Sequence, residues 1–104
     1  MTVSEFPSLA SLPFLPYIDA EGVLPDSLQG QVGVFGIFDQ SQTLQFIGYS
    51  RDIFLTLQQL LVRRPHACYW LKVQTSDRPN RTMLETIREA WMAENGSVPP
   101  WKWH

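Results

Sequence analysis

The chain has 104 residues, 44% of them hydrophobic and 17% charged, with a net charge of −2, one cysteine and two histidines. That length sets a prior of one domain with one modest core, and the charge balance is that of a globular chain rather than a disordered one. The charge argues against a protein wrapped in basic residues, and a single cysteine excludes an internal disulfide framework or a cysteine-rich zinc site.

No stretch approaches the roughly 20 uncharged apolar residues of a membrane span. The N-terminus lacks the basic and apolar regions of a secretion signal, so the expectation is a soluble protein of a reducing, cytoplasmic compartment. The charge is unevenly spread. Residues 1–39 hold five acids and no Lys or Arg, whereas residues 40–104 hold eight basic and five acidic side chains. An anion-binding surface, if present, belongs to the second part.

Residues 1–30 contain Pro7, Pro13, Pro16 and Pro25, which interrupt helix and sheet. With Phe6, Leu9, Leu12, Phe14, Leu15 and Tyr17 the segment is too apolar for a free linker. It reads as an irregular arm laid over the core, with docking on a protein partner as the alternative.

Residues 31–38 alternate, with Val32, Val34, Gly36 and Phe38 on one side and Phe35 and Ile37 on the other. A polar turn at 39–42 and a second short strand at 43–48 complete a β-hairpin. Gly33 and Gly36 mark close approach of other groups to the backbone. Ser50 or Asp52 caps a helix whose apolar positions are Ile53, Phe54, Leu57, Leu60 and Leu61. Arg63 and Arg64 suit its C-terminal end and Pro65 stops it.

Residues 67–74 read as a third strand containing Cys68, a small buried residue. After a turn around Pro79, residues 81–94 form a second helix with Met83, Leu84, Ile87, Ala90 and Trp91 on one face, ended by Asn95 and Gly96. The divisions are thus an arm at 1–30, a core at 31–97 and a tail at 98–104. The expected fold is α+β: a three-stranded antiparallel sheet (hairpin, helix, strand, helix) with flanking helices.

Gly33-Val34-Phe35, a short turn, Phe46-Ile47-Gly48, and an entry into a helix through Tyr49, Ser50, Arg51 and Asp52 resemble the GIY-YIG nuclease domain. Residues 46–52 (FIGYSRD), 68–75 (CYWLKVQT) and 93–100 (AENGSVPP) are similar to one branch of that family. This branch comprises small stand-alone cyanobacterial proteins and the domain fused ahead of a chloroplast monothiol glutaredoxin. The resemblance spans about residues 11–100 and implies the GIY-YIG fold.

It also implies metal-assisted phosphodiester hydrolysis. In cutting members two motif tyrosines surround the scissile phosphate, an arginine on the first helix steadies its charge, and a glutamate on a later helix holds Mg²⁺ or Mn²⁺. In this chain the motif tyrosines are Phe35 and Phe46, which cannot donate or transfer a proton. The arginine position falls near Thr56, with Arg51 one turn earlier. Tyr49 keeps a phenol nearby, and Glu85 matches the metal-binding glutamate, with an ion pair to Arg88 as its structural role.

Two readings follow. The favoured one is a degenerate, non-catalytic module that binds protein or nucleic acid. The alternative is a weak or atypical metal-dependent DNA endonuclease using Tyr49, Arg51 and Glu85. Candidate nucleic-acid contacts are Lys72, Arg78 and Arg81, within a wider basic set of Arg51, Arg63, Arg64 and Arg88 beside Tyr49, Tyr69 and Trp70. Trp101 and Trp103 in the tail are candidate protein contacts.

Overall fold

The alternation along residues 31–38 decides the architecture, because it gives one strand two apolar faces and each must be covered. The computed structural model describes residues 8–76 and 80–96. Strands β1 (Leu15–Pro16), β2 (Gly33–Phe38), β3 (Leu44–Ser50) and β4 (Trp70–Thr75) form one antiparallel sheet in the order β1-β4-β2-β3. Helices α1 (Ile53–Arg63) and α2 (Arg81–Asn95) complete the regular structure. All six residues of β2, which lies between β4 and β3, are buried.

The two faces carry separate clusters. Phe35, Ile37, Phe46 and Leu71 pack with Ile53, Leu57 and Leu60 of α1. Val34, Phe38, Leu44 and Ile47 pack with Leu84, Ile87 and Trp91 of α2. The sheet is therefore the middle layer between two helices.

The sheet has four strands rather than the expected three. The additional strand is β1, whose Leu15 pairs with Leu71 and Pro16 with Trp70 at the sheet edge. Proline is excluded from central strands because it lacks an N–H, but an edge strand uses one side of its backbone only and tolerates it. The pairing continues where the Tyr17 N–H donates to the Tyr69 carbonyl at 3.1 Å.

Beyond this edge the N-terminal segment wraps both layers. Leu9 joins the α2-side cluster, while Tyr17, Leu24 and Leu28 join the α1-side cluster. Glu94, on the last turn of α2, accepts the N–H groups of Leu9 and Ala10 at 2.8 and 2.7 Å. These are the first amides of a 3₁₀ turn at Leu9–Ser11, which a carboxylate satisfies well. Residues 1–7 and 97–104 lie outside the described residues, and with them the whole tail and the first stretch of the arm.

Local chemistry sets the remaining boundaries. Asp39 closes the β2–β3 turn, its Oδ1 accepting from the N–H groups of Ser41 and Thr43. One extra residue, Gln45, bulges β3 between the pairs Ile37–Phe46 and Phe38–Leu44. Asp52, not Ser50, caps α1 by accepting from the Leu55 N–H, while the Ser50 hydroxyl is engaged with Thr56 at 2.6 Å. Residues 65–67 form a 3₁₀ turn capped by Cys68, so the last strand starts at Trp70 rather than at Ala67 and Cys68 lies before it instead of within it. Asn80 caps α2, and Gly96 ends it in the left-handed region at φ 84°, where a Cβ is disfavoured. Pro79 lies outside the described residues.

At Gly33 the backbone of β4 leaves no room for a side chain on β2. A Cβ built there would collide with the carbonyl oxygen of Gln74. Among the described residues no helix is long and apolar enough to cross a membrane.

Candidate functional site

The hairpin and α2 meet at the end of the sheet where β2 begins and β3 ends. There Val32, Tyr49, Ser50, Arg51, Arg81 and Leu84 line an open cleft of about 430 Å³. Tyr49 reaches it because odd-numbered positions late in β3 face α2, as Ile47 does. Arg51 follows the strand and is exposed. Arg81 reaches it as the first residue of α2.

Glu85, one turn further along α2, connects these groups. Its Oε2 accepts from the Tyr49 hydroxyl at 2.9 Å and from Arg81 Nε at 3.1 Å. Among the described residues its Oε1 accepts no hydrogen bond. The Glu85 side chain is 40% exposed and that of Arg81 83%. The Tyr49 hydroxyl first, and then the Arg81 guanidinium, hold the Glu85 carboxyl below the usual carboxylate range. Arg88 completes the group with its guanidinium carbon 5.6 Å from the Tyr49 ring centroid, a cation–π distance. The partner of Glu85 is thus Arg81, four residues back, rather than the expected Arg88, which pairs with Glu89 at 3.1 Å.

Four of the sequence candidates, Tyr49, Arg51, Arg81 and Glu85, come together here. Phe35 and Phe46 do not. Their rings, 5.9 Å apart, are buried against α1 on the other face of the sheet. Tyr49 packs on the α2-side cluster, so the two motif phenylalanines and the phenol are separated by the sheet itself. Thr56 is occupied by Ser50.

Lys72 is not brought to the cleft. It is 6% exposed and its ammonium donates to the Leu9 carbonyl at 3.0 Å, lying 4.3 Å from the Phe14 ring centroid. Desolvation lowers its pKa, and the charge of Glu94 acts the other way. Trp70 pairs with Phe38, at the opposite end of β2 from the cleft, about 17 Å away at 3.4 Å per residue. Arg63 is the last residue of α1 and Arg64 its C-cap, at the end of that helix far from the cleft. Arg78, Trp101 and Trp103 lie outside the described residues.

The donor set is a poor fit for Mg²⁺ or Mn²⁺. Among the described residues Glu85 is the carboxylate bonded to the cleft's lining, yet one of its oxygens already holds a guanidinium and a hydroxyl, with Arg88 adding a second positive charge nearby. A divalent ion would face that repulsion with a single oxygen left to bind, where such ions seek several oxygen ligands. Among the described residues no group of three or more His, Cys, Asp or Glu side chains is placed to hold a metal. Cys68, elsewhere, is 4% exposed, and burial pushes its thiol up to about 11, which disfavours thiolate chemistry.

No protein-family model matches the chain. It is similar to a protein of Arabidopsis thaliana named bifunctional monothiol glutaredoxin-S16, chloroplastic, with 32% identity over 97 residues. The match takes in 89% of this chain and 31% of that protein, so the chain spans less than a third of its relative's length.

The i,i+4 spacing of Arg81 and Glu85 was visible in sequence as a standard helix pair. The engagement of Tyr49 with Glu85 was not, because it joins residues 36 positions apart on different elements.

Proposed function

We propose that this chain is a degenerate domain of the GIY-YIG type, retaining the fold as a non-catalytic module that binds nucleic acid through the Tyr49–Arg51–Arg81 cleft. One observation carries the reading. Two arginines and a phenol line the cleft on one face of the sheet, with a third guanidinium over that phenol's ring, while the motif positions that would need tyrosine are sealed in the core of the other.

The chemistry suits a phosphodiester backbone. Guanidinium groups present planar, charged donors to phosphate oxygens, and the cleft is open to solvent. The module would use the backbone rather than base edges, which makes its affinity strongly salt-dependent. The glutaredoxin in the relative's name is not carried over, since Cys68 is buried and its thiol is held protonated.

The endonuclease reading has one observation in its favour, the meeting of Tyr49, Arg51 and Glu85 in one place. A single experiment separates the two. Fluorescence anisotropy with a labelled oligothymidylate and a branched duplex gives binding, and a gel assay with Mg²⁺ or Mn²⁺ gives cutting. The binding module requires salt-sensitive binding without cutting, weakened by Arg51→Ala and Arg81→Ala with a salt slope lower by about one unit for each lost phosphate contact. Metal-dependent cutting that disappears in Glu85→Ala would replace it with the nuclease. Binding indifferent to both arginines would overturn the cleft as the site.

A further inference from the structure

We infer that Glu85 is a built-in competitor for the anion that the cleft binds: its carboxylate occupies donors of Tyr49 and Arg81 that an incoming phosphodiester oxygen takes by exchange. This rests on the reading of the cleft as a nucleic-acid site.

The geometry is that of an oxyanion already bound. Two donors on different elements, the Tyr49 hydroxyl at the end of β3 and Arg81 Nε at the start of α2, converge on one carboxylate oxygen at 2.9 and 3.1 Å. Both donor side chains line the cleft, so they face a ligand there as directly as they face Glu85. Phosphate oxygens accept from phenol and guanidinium as carboxylate oxygens do. The exchange therefore conserves the number of charge-assisted hydrogen bonds.

Leaving is easy for Glu85. It is held through Oε2 alone rather than as a two-oxygen fork, and its side chain is already 40% exposed. Released, it regains water instead of being stranded in an apolar setting, so no buried charge is created. Arg88 remains over the Tyr49 ring and Arg51 remains exposed, so the cleft keeps its positive character throughout.

The exchange sets a threshold. Small or poorly placed anions gain too little to displace the carboxylate, whereas a polyanionic strand that also engages Arg51 gains enough. An internal anion of this kind trades affinity for discrimination, which is how many selective sites reject near matches. It also reverses the role that a glutamate has as a metal ligand: here its removal strengthens the site.

The test is anisotropy of a fluorescein-labelled twelve-residue oligothymidylate with the full chain, from 50 to 200 mM salt. Glu85→Gln and Glu85→Ala are each expected to bind about twofold to fivefold more tightly than wild type, the scale of an exposed charge interaction. Their salt slope should steepen by about 0.7, one further single-strand phosphate contact, as Arg81 is released from internal neutralisation. Adding Arg81→Met to Glu85→Gln should abolish the gain. Unchanged or weaker binding by both Glu85 variants, with wild type still binding and Arg51→Ala still impairing it, overturns the competitor and leaves the cleft standing. Absence of binding by wild type, or indifference to Arg51→Ala, overturns both.

Discussion

The ammonium of Lys72 donates to the backbone carbonyl of Leu9 across 3.0 Å, joining the centre of β4 to a segment 63 positions earlier in the chain. Glu94 grips the same residue from the other side through its N–H. Leu9 is thus held at both its donor and its acceptor by opposite charges, and the Lys72 ammonium lies over the rings of Phe14 and Phe38, 4.3 and 5.6 Å from their centroids.

Lys72→Met should therefore act on stability and not on binding. It removes one of the two donors on the Leu9 carbonyl, the Leu12 N–H remaining at 3.3 Å, and a hydrogen bond to a charged group is worth roughly 1.5–3 kcal/mol. Urea unfolding should show a lowered midpoint with an unchanged slope, while oligonucleotide affinity stays at the wild-type value. Reduced affinity at full stability would return Lys72 to the ligand site.

Tyr17 fixes the same segment to the other layer. Its hydroxyl donates to the Leu57 carbonyl at 2.6 Å, and burial pushes its pKa up, so it stays protonated as the donor. Tyr17→Phe keeps the ring and should cost about 1 kcal/mol, the net worth of one hydrogen bond. Equilibrium unfolding of the two proteins checks it, and an unchanged free energy would show that the hydroxyl contributes nothing net.

Placing tyrosines at Phe35 and Phe46, the positions where the proposed GIY-YIG reading would have them, should harm the fold without creating chemistry. Phe35 is 1% and Phe46 8% exposed, each inside the cluster against α1. A hydroxyl introduced there must find a partner or be buried unpaired, at roughly 1–3 kcal/mol each. The double variant Phe35→Tyr, Phe46→Tyr should melt earlier than wild type and show no metal-dependent cutting. Cutting by this variant would show that only the two hydroxyls had been missing.

Glu85 supplies a pH dependence of known sign. Its carboxyl lies below the ordinary glutamate value of 4.5 because Tyr49, and then Arg81, favour the charged form. A depressed carboxyl stabilises the fold above its unfolded pKa, and that contribution fades as pH falls from about 4.5 through the folded value. A carbon-detected NMR titration should place the Glu85 midpoint below 4.5 in wild type and higher in Tyr49→Phe. Equal midpoints would mean that the phenol does not bear on the carboxylate.

Much of the fold was legible because its signals are local. The alternation that set Val34 and Phe38 against Phe35 and Ile37 separates the two clusters residue for residue. The stripe of Ile53, Leu57 and Leu60 is the buried face of α1, and Leu84, Ile87 and Trp91 that of α2. Strand β1 was hidden because two residues, one a proline, carry no periodicity and owe their extended form to pairing with β4. Lys72 was hidden for a related reason: a lysine in an alternating strand reads as solvent-facing unless another segment brings a carbonyl over it. At the site, residue types were readable and partners were not. Glu85 lay off the apolar stripe as expected, but Arg88, its i+3 neighbour, is claimed by Tyr49 and Glu89 instead.

The wrapping N-terminal segment gives the molecule an order of assembly. Tyr17 meets Leu57 across 40 positions, whereas Leu9 meets Glu94 across 85. During synthesis the layer built on α1 gains its early partners halfway through the chain, while the layer built on α2 must wait for the last helical turn. The two sides of one sheet thus mature at different times. Until Glu94 emerges, the surface of Val34, Leu44 and Ile47 lacks both its helix and its covering strap, which makes that face the one a nascent chain most needs to keep from sticking to its neighbours.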